Sequence, residues 1–374
     1  MAAMAQQIDR RQVLAYRIAV QQLDGSGTDL AQLAVLDLGL PDINGTAAQL
    51  AASVRLRGEA DFSTLERVWS FRGSPYYHRP ADLRELAGEL WPLSESDAQP
   101  RLGWQRKQVT STGTSALDAL TEVAEAMFVE VSGAKRALTK GMLSTAVTAR
   151  IRPELSWWCA GCKSTHVSEQ LMRLGGLPAG LRLEPESSPL NISALPRWPG
   201  VPAKPLGVQR IIDAYLRLYG PAAPADVAGY LGTTRTAILP AWPTDLVQLD
   251  VSGRSAWLPD QLVDVVRAAK PAPLVRLLGA GDPYLQSRDR DVLVPDKVAQ
   301  KAIWRILGNP GAVLVDGEIV GTWRAKQGGK SRTDLTVTEF GVIDPDARDE
   351  IAEEARRITA MRGVPDVRVT YVGG

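Results

Sequence analysis

A chain of 374 residues exceeds what one ordinary hydrophobic core accommodates and predicts two to four compact units. Its composition, 45% hydrophobic and 23% charged, is typical of a folded soluble protein, and no apolar stretch reaches the ~20 residues that a membrane span needs. The 43 Lys and Arg nearly balance the 42 Asp and Glu, so the net charge neither supports nor excludes a nucleic-acid partner, which requires only a basic face.

The cysteines and the N-terminal residues bear on the cellular compartment. Cys159 and Cys162 are the only two cysteines in the sequence, which excludes a disulfide framework and favours a reducing environment. The N-terminal stretch MAAMAQQIDRRQ contains no apolar signal core. We therefore expect a cytoplasmic protein that has no membrane partner.

Residues 1–105 are predicted to form helices followed by a small hairpin. Asp9 is a suitable N-cap for the first helix, and two further helices are expected over 30–40 and 46–56. Short strands on either side of Arg72 then form the hairpin. Helices followed by a small hairpin are typical of a winged helix, so we interpret this segment as the first winged-helix unit.

Residues 106–203 repeat this pattern less clearly. Three amphipathic helices are expected, of which the last covers 166–174, and two short strands follow them. His166 and the preceding Lys163 would then stand at the start of the recognition helix of a second winged-helix unit. We therefore predict that both side chains contact DNA.

Residues 204–272 carry the clearest pattern. Two helices, a Gly-Thr-Thr turn and a third helix are followed by a hairpin with a Ser-Gly-Arg turn. Thr234 and Arg235 would begin a recognition helix, where base-edge contacts occur in helix-turn-helix proteins. Arg254 would lie at the hairpin tip, where a cation meets phosphate or a minor groove.

Residues 273–374 change in character. A short helix, a hairpin with an Asp-Gly-Glu turn, two further strands and a helix over 345–361 predict an α+β domain. The whole chain is therefore expected to be an α+β protein. It would comprise three tandem winged-helix units, over 1–105, 106–203 and 204–272, and a C-terminal β-rich domain.

Four short motifs indicate a family. They are Arg72-Gly73, Asp282-Pro283-Tyr284-Leu285, Arg288-Asp289-Arg290 and Gly321-Thr322-Trp323. Over roughly residues 9–340 the chain resembles the bacterial winged-helix superfamily that includes the DNA glycosylases AlkZ and YcaQ. The resemblance implies that the units form a C-shaped clamp around duplex DNA. It also implies enzymes that cleave the N-glycosidic bond of alkylated or crosslinked purine nucleotides without a cofactor.

The resemblance also identifies a candidate catalytic residue. Those enzymes carry a Gln-x-Gln or Gln-x-Asp motif just before the helix that matches 46–56. An ungapped alignment puts Pro41 and Ile43 at the two motif positions, and neither side chain orients a water. A shift of one residue brings Asp42 to the second position, with Leu40 in place of the Gln. Asp42 is thus the candidate that stabilises positive charge on the sugar or activates a water, and the alternative is a turn residue after proline.

Basic residues elsewhere are further candidates for DNA contact. Arg72 is expected to meet a phosphate near the lesion, or to be a solvated turn residue. A loose basic cluster follows near the C-terminus, comprising Arg288, Arg290, Arg324, Lys326, Lys330 and Arg332. Asp289, Asp291 and Asp334 are interleaved with these residues, so a solvated face is the alternative interpretation.

The cysteine pair also has the spacing of half a zinc site. Cys159 and Cys162 are followed by His166, but the only other histidine is His78, and a structural zinc ion takes four ligands. Reduced thiols in a turn, with a histidine at a helix start, are the interpretation that we adopt. We therefore predict no metal.

Three functions remain open at this stage. The first is a DNA glycosylase assisted by Asp42, and the second is a non-catalytic lesion sensor or regulator, which the missing Gln residues favour. The third is a scaffold whose winged helices serve only in packing. No phosphate-binding loop is present, so we expect no nucleotide cofactor and no other cofactor. The predicted partner is double-stranded DNA, bound by a monomer.

Overall fold

The computed structural model describes residues 6–185, 187–328, 331–361, 363–364 and 366–373. Lys330, one of the predicted basic residues, lies outside them. Along the described chain, helices alternate with small sheets, which confirms the expected α+β class. Within this part of the chain no helix combines the length and the apolar character required to cross a membrane.

The N-terminal region combines short helices with a three-stranded antiparallel sheet in the order β2-β4-β3. Its elements are β1 (Gln6–Ile8), α1 (Arg10–Val20), β2 (Leu40–Pro41), α2 (Ala47–Ser53), β3 (Glu66–Trp69), β4 (Pro75–His78), α3 (Leu83–Leu90), α4 (Glu95–Arg101) and α5 (Arg106–Thr110). The prediction of a helix over 30–40 is wrong. Two short 3₁₀ helices replace it, because Leu40 and Pro41 pair with β4 and are drawn into the sheet.

The middle region contains a helical layer, a sheet and a separate hairpin. Its elements are α6 (Ala116–Gly133), β5 (Leu138–Thr139), α7 (Lys140–Arg150), β6 (Ser156–Cys159), β7 (Ser164–Val167), α8 (Glu169–Gly176), β8 (Leu181–Leu183) and β9 (Asn191–Ala194). The helix predicted to begin at His166 begins at Glu169, because Ser168 is its N-cap. His166 instead lies on β7, where its backbone pairs with Trp157 of β6.

The third region is the most helical. Its elements are α9 (Gln209–Tyr219), α10 (Pro224–Leu231), α11 (Arg235–Ile238), β10 (Leu246–Val251), β11 (Arg254–Pro259) and α12 (Asp260–Ala268). The N-terminal strand β1 joins this region, since it pairs in parallel with β10. Helix α1 packs with it, and Val13, Leu14 and Ile18 share a core with Leu249 and Val263. Residues near the N-terminus and residues of the third region therefore form one hydrophobic core.

The C-terminal region is built on a five-stranded sheet in the order β12 to β16. Its elements are β12 (Val275–Leu278), α13 (Arg290–Leu293), α14 (Lys297–Ile303), β13 (Gly311–Val315), β14 (Glu318–Gln327), β15 (Arg332–Glu339), α15 (Pro345–Met361) and β16 (Asp366–Gly373). The last two strands are parallel, so the chain must cross over between them, and α15 is that crossover. Ile351, Ala355 and Ile358 bury one face of α15 against the sheet.

Two buried ion pairs fasten the N-terminal region to the segment between β12 and α13. Arg17 holds Asp289 at 2.6 Å, and Arg55 holds Asp282 at 2.8 Å, with all four side chains at most 2% exposed. Removing one partner of such a pair leaves a charge in a medium that cannot solvate it. Asp282 and Asp289, both in motifs singled out from the sequence, are therefore structural residues that position their neighbours.

Candidate nucleic-acid interface

The Arg72-Gly73 turn joins β3 to β4 and docks directly on α8. Arg72 and Gly73 both adopt positive φ, at 56° and 71°. A Cβ atom on Gly73 would lie 2.7 Å from the Cβ of Arg173, so only glycine allows this close approach. Arg173 in turn donates a hydrogen bond from Nη1 to the Gly73 carbonyl at 3.4 Å. The hairpin of the first region is thus fixed against a helix of the second.

The side chain of Arg72 continues from this turn into the third and C-terminal regions. Its guanidinium lies 6.0 Å from the centre of the Tyr230 ring on α10. Its Nη2 donates to Oε1 of Gln286 at 3.3 Å. Arg72 therefore stands where four regions of the chain meet, although the sequence places these regions far apart.

The charge of Arg72 acts on Arg290, and the side chains of Arg72 and Arg288 pass α10 at Gly232 and Gly229. We call Arg72, Arg288 and Arg290 the basic cluster. Arg288 passes the surface of α10 with its Cγ 3.5 Å from the position of a Cβ on Gly229. Among the described residues, Nε and Nη2 of Arg288 are buried without a hydrogen-bond acceptor. Burial, followed by the charge of Arg72, lowers the pKa of the Arg290 guanidinium, which lies 4.8 Å from the Trp304 ring.

The carboxylate closest to this cluster in sequence does not neutralise it. Asp289 accepts hydrogen bonds from Nη1 and Nη2 of Arg17 and from the Ser287 hydroxyl. The cluster consequently combines positive charge with N–H donors that have no acceptor in the described protein. Such a group of donors fits an oxyanion, because charge-assisted hydrogen bonds from guanidinium to phosphate are strong and directional.

Arg254 is ion-paired with 30% of its side chain exposed, at the hairpin tip where the sequence predicted a cation that meets phosphate or a minor groove. It is the first residue of β11, beside the expected turn, but its Nη2 forms an ion pair with Asp226. Its Nη1 lies 3.9 Å from Asp289. Burial raises the pKa of Asp226, and Arg254 opposes that effect. The guanidinium thus bridges two buried carboxylates, one of which, Asp289, lies between Arg288 and Arg290 in the sequence.

Thr234 and Arg235 lie where the sequence placed them, at the start of a short exposed helix. The hydroxyl of Thr234 caps α11 by accepting a hydrogen bond from the Ala237 amide at 3.3 Å. Both residues are exposed, so Arg235 is free to meet a partner. The preceding Thr233 donates its hydroxyl hydrogen to Asp97 of α4, which fastens this turn to the N-terminal region.

Arg324 and Lys326 belong to the C-terminal sheet. Both are exposed on β14, where Arg324 donates to the Gly308 carbonyl and Lys326 pairs in register with Asp334. Asp334 also forms an ion pair with Arg332 at 3.0 Å. No hydrogen bond or ion pair within the described chain joins these residues to the basic cluster. Direct bonds among the described residues therefore do not join the loose cluster of the sequence into one group.

Lys163 and His166 belong to the β6–β7 hairpin. Lys163 is exposed in its turn with a φ of 51°. Sulfur and nitrogen atoms of Cys159, Cys162 and His166 all lie within 4.8 Å of one another. The backbone amide of Cys162, then the imidazole of His166, lower the pKa of the Cys159 thiol to about 7. The hydrogen bond to the Val167 carbonyl raises the pKa of His166.

Asp42, the candidate catalytic residue, is enclosed. Its backbone amide donates to the Pro75 carbonyl at 2.8 Å, beside the Arg72 turn. Its carboxylate lies 2.8 Å from Nε of Arg67 and accepts a long hydrogen bond, 3.5 Å, from the Ala48 amide in the first turn of α2. The Asp42 side chain is 2% exposed, whereas neighbouring Ile43 is 57% exposed. An aliphatic group, not a carboxylate, thus faces outward here.

Three contributors to the site were not predicted. Arg67 holds Asp42, Gln286 accepts from Arg72, and Tyr230 supports the Arg72 guanidinium. Gln286 lies between two of the recognised motifs, which was a usable signal. Tyr230 lies in an apolar helix, and its sequence context is that of an ordinary core residue. The pairing of Arg67 with Asp42 could not be predicted, because it depends on how the strands associate in the sheet.

Comparisons with known proteins agree with this description. A family model for DNA glycosylase AlkZ-like proteins matches residues 49–361. The interstrand DNA cross-link repair glycosylase of Streptomyces sahachiroi is 29% identical over 185 residues, which are 47% of this chain and 48% of that protein. This match therefore spans about half the length of the curated relative.

A solved structure extends the likeness to nearly the whole chain. The Streptomyces sahachiroi DNA glycosylase AlkZ is similar with a TM-score of 0.75 at 20% identity, covering 98% of this chain and 100% of that one. At this identity the likeness shows a common fold. The family match covers most of the chain and confirms the resemblance indicated by the four motifs. This protein belongs to the AlkZ-like family of DNA glycosylases.

Proposed function

We propose that this protein is a DNA-repair protein that binds duplex DNA in a C-shaped clamp of three winged-helix units. The units would cover 1–105, 106–203 and 204–272, with 273–374 as the C-terminal domain. Each of the three contains helices together with a small sheet that includes an antiparallel hairpin, which supports the proposal. The pairing of β1 with β10 means that the first unit would also contribute to the core of the third.

The buried, unsatisfied donors of Arg288 carry the proposal. Two buried N–H-bearing nitrogens without an acceptor are costly, and a phosphate oxygen that reaches them would remove that cost on binding. Arg72 and Arg290 would contact the same stretch of backbone, while Thr234 and Arg235 at the start of α11 would meet a groove. Lys163, Arg324 and Lys326, which are exposed elsewhere, would add contacts at the edges.

The substrate class comes from the relatives. The curated relative is described as an interstrand DNA cross-link repair glycosylase, and we carry crosslinked and alkylated duplex DNA over as the class that this protein recognises. The protein would act as a monomer associated with the nucleoid in the cytoplasm, without a nucleotide or other cofactor. These assignments remain predictions.

Base excision is the part of the family's chemistry that this geometry supports least. Ile43 cannot stabilise an oxocarbenium-like sugar, and the carboxylate of Asp42 is buried against Arg67. We therefore place lesion binding with little or no excision ahead of the glycosylase alternative. In that alternative, the Asp42 carboxylate would stabilise the sugar cation or activate a water.

Binding of a labelled duplex that contains one alkylated purine tests the proposed interface. Arg288→Ala should weaken affinity by about tenfold or more, the value of one or two charge-assisted hydrogen bonds. Arg356→Ala removes the same charge from an exposed position on α15, where Arg356 pairs with Glu353, and should leave affinity near the wild-type value. Equal affinities for the Arg288 variant and the wild type would overturn the assignment of the cluster.

Base release from the same duplex distinguishes lesion binding without excision from glycosylase activity. Under single-turnover conditions, we expect wild-type protein and Asp42→Asn to release no more base than a protein-free control, while both bind the duplex. Release by the wild type that is lost in Asp42→Asn would instead establish the glycosylase alternative. Measuring binding in the same samples separates a loss of chemistry from a loss of the complex.

A further inference from the structure

The β6–β7 hairpin brings two thiols and an imidazole to one place. In its register Trp157 pairs with His166, and Cys159 pairs with Ser164. Successive side chains of a strand alternate between faces, so Cys159 lies on the same face as Trp157 and therefore as His166. Cys162, in the turn between the strands, closes the group. This arrangement plays no part in the proposed contacts of the basic cluster.

The distances fit a metal ion. The two sulfur atoms and one nitrogen of the His166 imidazole all lie within 4.8 Å of one another. In a tetrahedral zinc site with Zn–S bonds of about 2.3 Å, ligand sulfurs are about 3.8 Å apart. A movement of about 1 Å would therefore complete the geometry. Ala160, Gly161 and Lys163 are exposed, so no packed neighbour prevents the turn from making that movement.

The orientation of His166 is that of a metal ligand. Its Nδ1 lies 2.8 Å from the Val167 carbonyl, and only an Nδ1–H group can make that hydrogen bond. Nε2 then carries the lone pair, and within the described chain it is buried without a hydrogen-bond partner. A backbone carbonyl that fixes one imidazole nitrogen while the other binds the ion is the usual second layer of a zinc site.

We propose that Cys159, Cys162 and His166 bind one zinc ion, with a water molecule as the fourth ligand. Thiolates and an imidazole favour zinc over magnesium or calcium, which take oxygen ligands. A Cys159–Cys162 disulfide would leave Nε2 of His166 without a role. Cys162 and His166 line an open cavity of about 620 Å³, so water reaches the vacant coordination position.

The ion would stabilise the connection between α7 and α8. The connection between these helices is a hairpin of four paired residues on each strand. Binding a metal to both strands and to the turn would hold Lys163 and the exposed Trp158 in fixed positions. The proposal departs from the sequence-based expectation of reduced thiols without metal, because the three ligands converge while His166 lies on a strand.

Metal analysis of the full-length protein tests this site. Protein purified in reducing buffer without chelator should hold one zinc per chain. Cobalt should replace it and give a thiolate-to-cobalt charge-transfer band together with the visible bands of tetrahedral coordination. The chain contains only these two cysteines, so a thiolate band can arise only here. Absence of both zinc and the cobalt band in folded protein would overturn the proposal, as would a Cys159–Cys162 disulfide formed in its place.

Variants sharpen the test. Cys162→Ser should abolish the charge-transfer band or reduce it to that of one thiolate, and His166→Gln should weaken zinc binding by more than about 100-fold. Ser164→Ala is the matched control: Ser164 lies in the same hairpin, and this variant should bind zinc with the affinity of the wild type. Retention of wild-type affinity by both ligand variants would contradict the assignment. If Cys162→Ser does not fold, competition of the wild type with a zinc-binding dye, together with His166→Gln, gives the answer.

Discussion

His78 shows at the level of one side chain how burial fixes a charge state. The ring is 2% exposed, and Nε2 lies 2.9 Å from the Ser70 hydroxyl. Burial, followed by the positive charges of Arg210 and Arg79, lowers the pKa of His78 to about 3. The imidazole therefore stays neutral in the folded protein throughout the physiological range, and it supports the β3–β4 hairpin that carries Arg72.

This depressed pKa predicts acid lability. The unfolded chain protonates His78 below its ordinary pKa of 6.5, whereas the folded chain does not, so the free energy of unfolding falls as pH drops. The loss should approach about 1.4 kcal/mol per pH unit between the two pKa values. Urea unfolding at about pH 7 and about pH 5.5 measures this loss of stability. The carboxylates of the protein contribute equally to the wild type and the variant. His78→Gln should lack this component, and equal pH dependence in the two proteins would refute it.

At the level of elements, the β3–β4 turn shows why a backbone conformation matters for the interface. Gly73→Ala should destabilise the protein by about 1–2 kcal/mol through its positive φ, and further through the contact with Arg173. Because Arg72 precedes it, duplex binding should also weaken. Gly253→Ala is the matched control, since Gly253 has a φ of 84° but nothing lies within 4 Å of the position that its Cβ atom would take. Chemical denaturation and binding assays should show a larger loss for Gly73→Ala, and equal losses would mean that docking on α8 is unimportant.

Elements with strong local patterns were predictable, and those defined by distant partners were not. Helices α9 and α10 follow from amphipathic spacing and from the glycine that ends each of them. Strand β1 was missed because its partner, β10, is remote in sequence. His166 was assigned to a helix because a short Ser-Thr-His-Val run has no decisive period, and its pairing with β6 decides the matter.

In the candidate site, too, local patterns were predictable from the sequence and contacts with distant residues were not. The motifs identified Arg72, Arg288 and Arg290, which the structure brings together. The position of Thr234 and Arg235 at a helix start was also correct. Nothing local distinguished Arg254, whose guanidinium pairs with Asp226, or indicated that Arg67 would hold Asp42. Side-chain direction depends on which carboxylate lies within reach, and that is a property of the tertiary fold.

On the scale of the whole molecule, the proposed interface depends on distant segments that are held in one arrangement. Arg17–Asp289 and Arg55–Asp282 tie the N-terminal region to the segment that carries Arg288. Each of these four charges is buried and paired, so the segment has little freedom to move away from α1 and α2. The backbone that carries Arg288 and Arg290 is therefore held in place, so the proposed binding of a phosphate would require ordering of side chains only.

Direct contacts between the cations of the basic cluster and phosphates would give duplex binding a specific salt dependence. Each cation that neutralises a phosphate releases counterions, so the slope of log K against log salt concentration should fall by about 0.9 when one such contact is removed. Arg288→Ala and Arg290→Ala should each show that reduction when affinity is measured over a salt series. Arg254→Ala should instead lower the free energy of unfolding and leave the slope unchanged, because its guanidinium already neutralises Asp226. If Arg254→Ala reduces the slope as Arg288→Ala does, the hairpin-tip residue contacts DNA, and its interpretation as a structural partner of Asp226 is wrong.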